Sequence, residues 1–182
     1  DDMVALFQKR AYDACACTPS KVKVSYNGEQ INVKTFEKYV DLYIGSKAET
    51  QRVHEFSKCG RWEVVVSMSP DSYKQVSFVN GINTTQGGTH VESINRQIVS
   101  KVTEYIQTKH KQMTVKPQFI RDHLFVFVKA VLVNPTFSSQ TKVECTSKST
   151  SFGSKMDIDD DFIKKIGKLG IINEAIALAK HK

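Results

Sequence analysis

Long apolar runs are missing from this sequence of 182 residues. None approaches the roughly 18 residues that a membrane-spanning helix requires, so a soluble protein is predicted. The four cysteines include no C-x-x-C pair, and Cys15 and Cys17 are too close in sequence for a normal disulfide bridge. This usage predicts a reducing, intracellular compartment. The sequence also begins without a methionine or a signal peptide, which indicates a piece from the interior of a longer chain.

Several well-known catalytic and metal-binding patterns are missing as well. Residues 86–92, QGGTHVE, place two glycines before a helix start but lack the lysine of a P-loop and the third glycine of a dinucleotide-binding fingerprint. A tight turn before a helix is favoured there, with His90 as a helix-surface or packing residue. The acidic run at 157–161 lacks the glycine and glutamate of a calcium loop, so we expect it to stabilise a helix start. The histidines share no ligand spacing with cysteines or carboxylates, so no metal site is predicted.

Positive charge is in excess. Lysine and arginine number 26 against 19 aspartates and glutamates, a formal net charge of +7. This excess favours an anionic partner but leaves nucleic acid, phosphate ligands and simple solubility open. One short basic loop contains Lys109, His110 and Lys111 and continues to Lys116. Composition alone favours a solvated helix end for this basic loop.

Apolar periodicity predicts the order helix, hairpin, helix, hairpin, long helix, strand, helix. The predicted helices cover 1–16, 35–45, 89–110 and 157–182, the first of these being an entering helix and the last broken at Gly167 and Gly170. A hairpin is predicted around Asn27-Gly28, an antiparallel pair of strands at 61–69 and 73–82, and a continuous buried strand at 124–133. Residues 46–60 are predicted to form a loop. Thr89 and Glu92 are predicted to form a capping box. These elements predict an α+β sandwich of one mostly antiparallel sheet with helices packed on it.

Two stretches resemble a known family. Residues 75–99, QVSFVNGINTTQGGTHVESINRQIV, and residues 134–142, NPTFSSQTK, together resemble the transducer domain of type IIA DNA topoisomerases, of the eukaryotic topoisomerase II branch. The resemblance covers nearly the whole chain. It implies a fold like domain 2 of ribosomal protein S5, a transducer domain at 1–158 and a C-terminal helical segment at 159–182 that leads to the next domain of the parent enzyme.

The resemblance also implies a role for the polar loop that follows the buried strand. A stiff strand would deliver this loop to the ATP site of the same subunit, where Lys142 would contact the γ-phosphate as the catalytic contact. Gln140 would bind the same phosphate, and Thr141 and Ser139 would shape the loop. ATP itself would be held mainly by a GHKL-type ATPase domain of the parent, which would also use Mg²⁺.

The resemblance gives the basic loop a second interpretation, contact with duplex DNA through Lys109, Lys111 and Lys116. Further implied partners are the ATPase and DNA-cleaving domains of a homodimeric, ATP-hydrolysing parent, located in the nucleus or, for a large DNA virus, in the host cytoplasm. The isolated chain is expected to be inactive.

Two alternatives stay open. A free-standing nucleic-acid-binding module of S5-like fold would be marked by the absence of a Gln-Thr-Lys loop. The matching domain of a mismatch-repair GHKL ATPase would share the architecture but should not show this pairing of motifs.

Overall fold

The computed structural model describes residues 1–110 and 114–180, and most of its strands form one five-stranded sheet. In the described residues the strands are β1 (Ser25–Tyr26), β2 (Glu29–Gln30), β3 (Arg52–Phe56), β4 (Trp62–Met68), β5 (Lys74–Val79), β6 (Ile82–Asn83), β7 (Gly87–Gly88), β8 (Leu124–Ala130) and β9 (Glu144–Cys145). The helices are α1 (Asp2–Cys17), α2 (Phe36–Ile44), α3 (Thr89–Lys109), α4 (Pro117–Asp122), α5 (Asp160–Gly167) and α6 (Ile171–Lys180).

The main sheet has the strand order β3-β4-β8-β5-β6. Strand β8 pairs antiparallel with β4 and parallel with β5, and the remaining neighbours are antiparallel. The parallel pair requires a crossover connection, which α3 and α4 supply between β5 and β8. The predicted α+β fold with a mostly antiparallel sheet is confirmed.

Both faces of the sheet are covered by helices. Val126 and Val128 of β8 lie in one apolar cluster with Ile94 of α3, whereas Phe127 between them packs in a second cluster with Phe36 of α2. Side chains on a strand alternate between faces, so a strand covered on both sides must be apolar at nearly every position. This explains why β8 has a continuous apolar sequence and occupies the centre.

The four predicted helical regions are present, but the last begins at Asp160 rather than at 157, and its predicted end at 181–182 lies outside the described residues. The helix ends have local causes. Thr35 caps α2 by accepting a hydrogen bond from the Lys38 amide at 3.1 Å. Asp159 caps α5 by accepting one from the Phe162 amide at 2.8 Å, as expected for the acidic run. The predicted break near Gly167 separates α5 from α6.

Three strand predictions are wrong. The segment 46–60 contains β3, whose polar side chains conceal it: the Arg52 guanidinium donates to Asp41 at 2.7 Å, and His54 lies 2.8 Å from Glu63. The predicted pairing of β4 with β5 does not form, because β8 lies between them. The buried strand ends at Ala130 rather than at 133. The Asn80 side chain donates to the Leu132 carbonyl and accepts from the Leu132 amide, so these backbone groups do not continue the strand pairing.

Two further details differ from the prediction. Thr89 and Glu92 do not form a capping box, because the N-cap of α3 is Gly88 and no side chain caps it. Instead, the Thr89 hydroxyl donates to the Cys145 carbonyl at 3.3 Å. The short helix α4 was not predicted and begins with Pro117 at its first turn, a position that proline favours.

Candidate functional site

The two stretches that carry the family resemblance meet in the structure. Residues 136–146, here called the Gln-Thr-Lys hairpin, fold back on themselves. The Thr146 amide donates to the Thr136 carbonyl at 2.9 Å, and the Ser138 amide donates to the Glu144 carbonyl at 3.1 Å. Because these bonds close the base of the hairpin, its tip is presented as a defined turn.

The tip of the Gln-Thr-Lys hairpin carries the four predicted ATP contacts. Ser139, Gln140 and Thr141 are exposed, and Lys142 is half-buried. The Lys142 amide donates to the Ser139 carbonyl at 3.0 Å, and the Ser139 and Thr141 hydroxyls lie 2.8 Å apart. The structure therefore places these predicted residues together on one turn.

Lys142 has an uncommon backbone conformation. Its φ is 57°, in the left-handed region that non-glycine residues seldom adopt. Its ammonium lies 5.7 Å from the centre of the Phe137 ring. Strained backbone of this kind is concentrated at ligand-binding and catalytic sites, where the surrounding structure holds it in place.

The hairpin is joined to the start of α3 by backbone pairing. Strand β9 runs parallel to β7, with Glu144 opposite Gly87 and Cys145 opposite Gly88, and the Gln86 amide donates to the Val143 carbonyl at 2.9 Å. A Cβ on Gly88 would overlap the backbone of Cys145, and its φ of 129° also favours glycine. The second glycine of QGGTHVE is thus needed for close backbone approach.

A buried polar cluster supports the turn that leads into β7. The Ser77 hydroxyl lies 2.6 Å from the Thr84 hydroxyl, which lies 3.3 Å from Nε2 of His90. The Gln75 side chain also contacts this turn, donating to the Thr85 carbonyl at 3.0 Å. Of the two roles predicted for His90, helix-surface or packing residue, the structure shows the second, since its side chain is fully buried.

Sequence reasoning missed the supporting role of this cluster. Burial lowers the pKa of His90 to about 4, so the imidazole is neutral at physiological pH. The available signal was the presence of Gln75 and Ser77 at alternate positions of β5, whose neighbouring residues Val76, Phe78 and Val79 are apolar. Two polar residues on one face of a buried strand need hydrogen-bond partners, which the turn at 84–85 supplies.

The predicted DNA contacts lie elsewhere. Lys109 is in the last turn of α3 and Lys116 is the N-cap of α4; both are exposed. Lys111 lies outside the described residues. Since α3 has 21 residues, its two ends are about 30 Å apart. The Gln-Thr-Lys hairpin and Lys109 therefore lie at opposite ends of one helix.

Two other kinds of feature, a cluster of metal ligands and a membrane-spanning helix, are absent from the described residues. Within 1–110 and 114–180, no three histidine, cysteine, aspartate or glutamate side chains are grouped so that they could hold a metal ion. No helix in the same ranges combines the length and apolar character needed to cross a membrane.

Comparison with known proteins identifies the family. A family description of DNA gyrase B matches residues 29–180. DNA topoisomerase 2 of Arabidopsis thaliana is 43% identical over all of this chain, which spans 13% of that protein. The chain thus covers about an eighth of the length of this relative. It belongs to the DNA gyrase B family of type IIA topoisomerases, as the resemblance predicted.

Solved structures agree with this assignment. The ATPase and transducer domains of DNA topoisomerase II from Balamuthia mandrillaris superpose with a TM-score of 0.91 at 35% identity, covering 99% of this chain and 45% of that one. The ATPase region of Saccharomyces cerevisiae topoisomerase II gives a TM-score of 0.89 at 34% identity, again over 99% of this chain and 45% of that one. The fold is thus shared with a region of topoisomerase II.

Proposed function

We propose that this chain is the transducer domain of an ATP-dependent DNA topoisomerase II. In this proposal the Gln-Thr-Lys hairpin senses the γ-phosphate of ATP and couples ATP binding and hydrolysis to closure of the N-terminal gate and passage of DNA. The observation that carries the proposal is the position of Lys142, held in a left-handed conformation at the tip of a hairpin fixed to the start of α3.

The interactions of Lys142 favour exchange for a phosphate. In the described residues its ammonium has an aromatic ring as neighbour and no carboxylate within salt-bridge distance. An exposed cation–π contact contributes about 0.5–1 kcal/mol. A hydrogen bond to a charged group contributes about 1.5–3 kcal/mol. A γ-phosphate within reach would therefore displace the ring as the partner of this lysine.

The remaining tip residues fit the same ligand. Gln140 offers an amide donor to a second phosphate oxygen, while Thr141 and Ser139 shape the turn through their hydroxyl contact. Most ATP contacts and the Mg²⁺ would come from the ATPase domain of the parent protein. Bound ATP would present the charge of a γ-phosphate, which ADP lacks, and Lys142 would detect that charge.

The proposal extends to the parent as a whole. It would be a homodimeric nuclear enzyme that hydrolyses ATP and changes DNA topology, with this chain between its ATPase and DNA-cleaving domains. Duplex DNA would contact the basic loop, whose lysines are point charges suited to phosphates rather than to base edges.

Replacement of Lys142 in the full-length parent tests the proposal. Lys142→Ala should shift the equilibrium between the ATP and ADP conformations about ten- to hundredfold. If the lysine also stabilises charge on the transferring phosphoryl group, hydrolysis should fall by about two to three orders of magnitude. Decatenation should fail, whereas the melting temperature should change little, because the half-buried Lys142 at the hairpin tip contributes little to packing.

A matched control is available at Lys148. It is an exposed lysine just beyond the same hairpin, and Lys148→Ala should keep ATPase and decatenation rates near those of the parent. Near-normal rates in a folded Lys142→Ala enzyme would show that the hairpin is a structural connector and would reject the proposal.

A further inference from the structure

Helix α1 is attached to the sheet by a shared ammonium group. Lys9 Nζ lies 2.8 Å from Oδ2 of Asp13, and it also donates to Oδ1 of Asn83 at 3.2 Å. Asp13 is almost buried, with 6% of its side chain exposed, and accepts a second hydrogen bond from the Tyr39 hydroxyl at 2.6 Å. We call Lys9, Asp13 and Asn83 the α1 joint.

Asn83 connects the α1 joint to the turn beneath the Gln-Thr-Lys hairpin. It lies in β6, and its Nδ2 donates to the Ser77 carbonyl at 3.1 Å. Three residues later the Gln86 amide donates to the Val143 carbonyl, adjacent to Lys142. Two hydrogen bonds between distant segments and two short pieces of chain therefore link Lys9 to the proposed phosphate contact.

The intervening turn is held tightly enough to transmit a displacement. Thr84 is buried against Ser77 and His90, and Gly88 lies so close to the Cys145 backbone that a Cβ there would overlap it. Packed elements of this kind take up discrete arrangements rather than deforming continuously. A change at the tip would therefore be passed to Asn83.

We propose that the α1 joint couples the Gln-Thr-Lys hairpin to α1, with Lys9 and Asn83 as positioning residues for Lys142. This inference rests on the proposed function for its role in catalysis, but the mechanical link is a property of the chain itself. The two contacts of Lys9 in the α1 joint differ in strength. Lys9 faces a carboxylate within its own helix and a neutral amide oxygen on the sheet, so displacement of α1 breaks the Asn83 contact first.

Hydrogen exchange on the chain alone tests the link without ATP. Lys9→Met removes the ammonium, and should speed exchange of the Thr84 and Gln86 amides about three- to tenfold, with central β8 unchanged. Arg10→Met is the matched control, since this exposed neighbour on α1 has no ion pair within the described residues. Uniform acceleration across the chain, or none at 84–86, would overturn the inference.

A second variant guards against misfolding. Lys9→Met leaves the nearly buried Asp13 carboxylate without its cation, so the double variant Lys9→Met/Asp13→Asn restores neutrality while keeping an acceptor for Tyr39. It should show the same local acceleration. Lys9→Arg, which keeps charge and donors, should restore slow exchange at Thr84 and Gln86.

The full-length parent tests the catalytic consequence. Lys9→Met should raise the number of ATP molecules hydrolysed per decatenation event several-fold in the otherwise unmodified parent. In a Lys142→Ala background, where decatenation fails, Lys9→Met should leave the residual ATPase rate unchanged, because coupled residues are not additive. Additive effects would show a merely structural role. Normal activity of Lys142→Ala would reject the proposed function yet leave the exchange result valid, so the two failures are distinguishable.

Discussion

Single residues near the Gln-Thr-Lys hairpin derive their properties from burial. His90 is enclosed in the first turn of α3 beside the Thr84 hydroxyl, and in the described part of the chain its Nδ1 has no hydrogen-bond partner. An imidazolium there would lose its hydration with no carboxylate to compensate, which is why the pKa is low. The support for the turn at 84–85 therefore depends on a neutral histidine.

This depressed pKa predicts a pH dependence of folding. Unfolded chains protonate histidine near pH 6.5, whereas folded His90 protonates near pH 4, so the unfolded state binds more protons between these values. The free energy of unfolding should therefore be highest above pH 6.5 and should fall by about 3 kcal/mol as the pH drops to 4. Urea unfolding of the chain between pH 6.5 and 5, where most carboxylates remain ionised, measures this slope.

Two variants separate the histidine from its surroundings. His90→Leu should remove most of the slope, because the titrating group is gone. Thr84→Val should lower the free energy of unfolding at every pH while the slope remains. Equal slopes in His90→Leu and the unmodified chain would show that another group is responsible.

At the scale of elements, α3 joins the two proposed functional surfaces. Its N-terminus lies against the hairpin through β7, and its C-terminus carries Lys109. Buried Ile94, Ile98 and Val102 hold the helix against the sheet along its length. A helix packed in this way moves as a rigid body, so a displacement of the hairpin would also displace the basic loop.

The lysines of the basic loop are expected to bind DNA in a salt-dependent manner. In the full-length parent, Lys109→Glu/Lys116→Glu should weaken binding to duplex DNA without changing sequence preference, because lysines contact phosphates. Each lost phosphate contact should reduce the slope of log K against log salt by about 0.9. Fluorescence anisotropy at several salt concentrations measures both effects.

The same change of charge can be placed elsewhere as a control. Lys21→Glu/Lys23→Glu alters two exposed lysines in the segment before β1. If this control lowers the affinity and the slope as much as the loop variant, net charge rather than the basic loop determines DNA binding.

The whole molecule is a sheet with helices on both faces. Phe162 and Ile166 of α5 and Ile171 of α6 are buried in the same cluster as Val126 of the sheet. The C-terminal helices therefore share the core of the remainder, and the predicted boundary at 158/159 stays a prediction about the parent protein. Such extensive packing predicts that the chain folds on its own.

The isolated chain should not bind ATP tightly. Lys142 and Gln140 could contribute one or two charge-assisted hydrogen bonds of about 1.5–3 kcal/mol each. Association costs about 4–15 kcal/mol in lost freedom, so binding weaker than about 1 mM is expected. Calorimetry with a non-hydrolysable ATP analogue measures this, with the ATPase-plus-transducer portion of the parent as the positive control. Micromolar binding to the chain alone would contradict the assignment of most contacts to another domain.

The sequence by itself determined the elements whose signals are local. Apolar spacing located α1, α2 and α3, and Asn27-Gly28 located a hairpin, because a helix or a tight turn depends on residues close together in the chain. The motif at 139–142 was recognisable for the same reason, and these residues do lie on one turn. Their contact with ATP remains a proposal.

Only the tertiary structure decided which segments meet. Cys145 pairs with Gly88 and Lys9 reaches Asn83 across more than fifty intervening residues in each case. Strand β3 is stabilised by partners on α2 and β4 rather than by its own apolar pattern. Strand order, polar support of the turn and the α1 joint depend on such distant contacts, and local periodicity carries no information about which distant group will satisfy a buried polar atom.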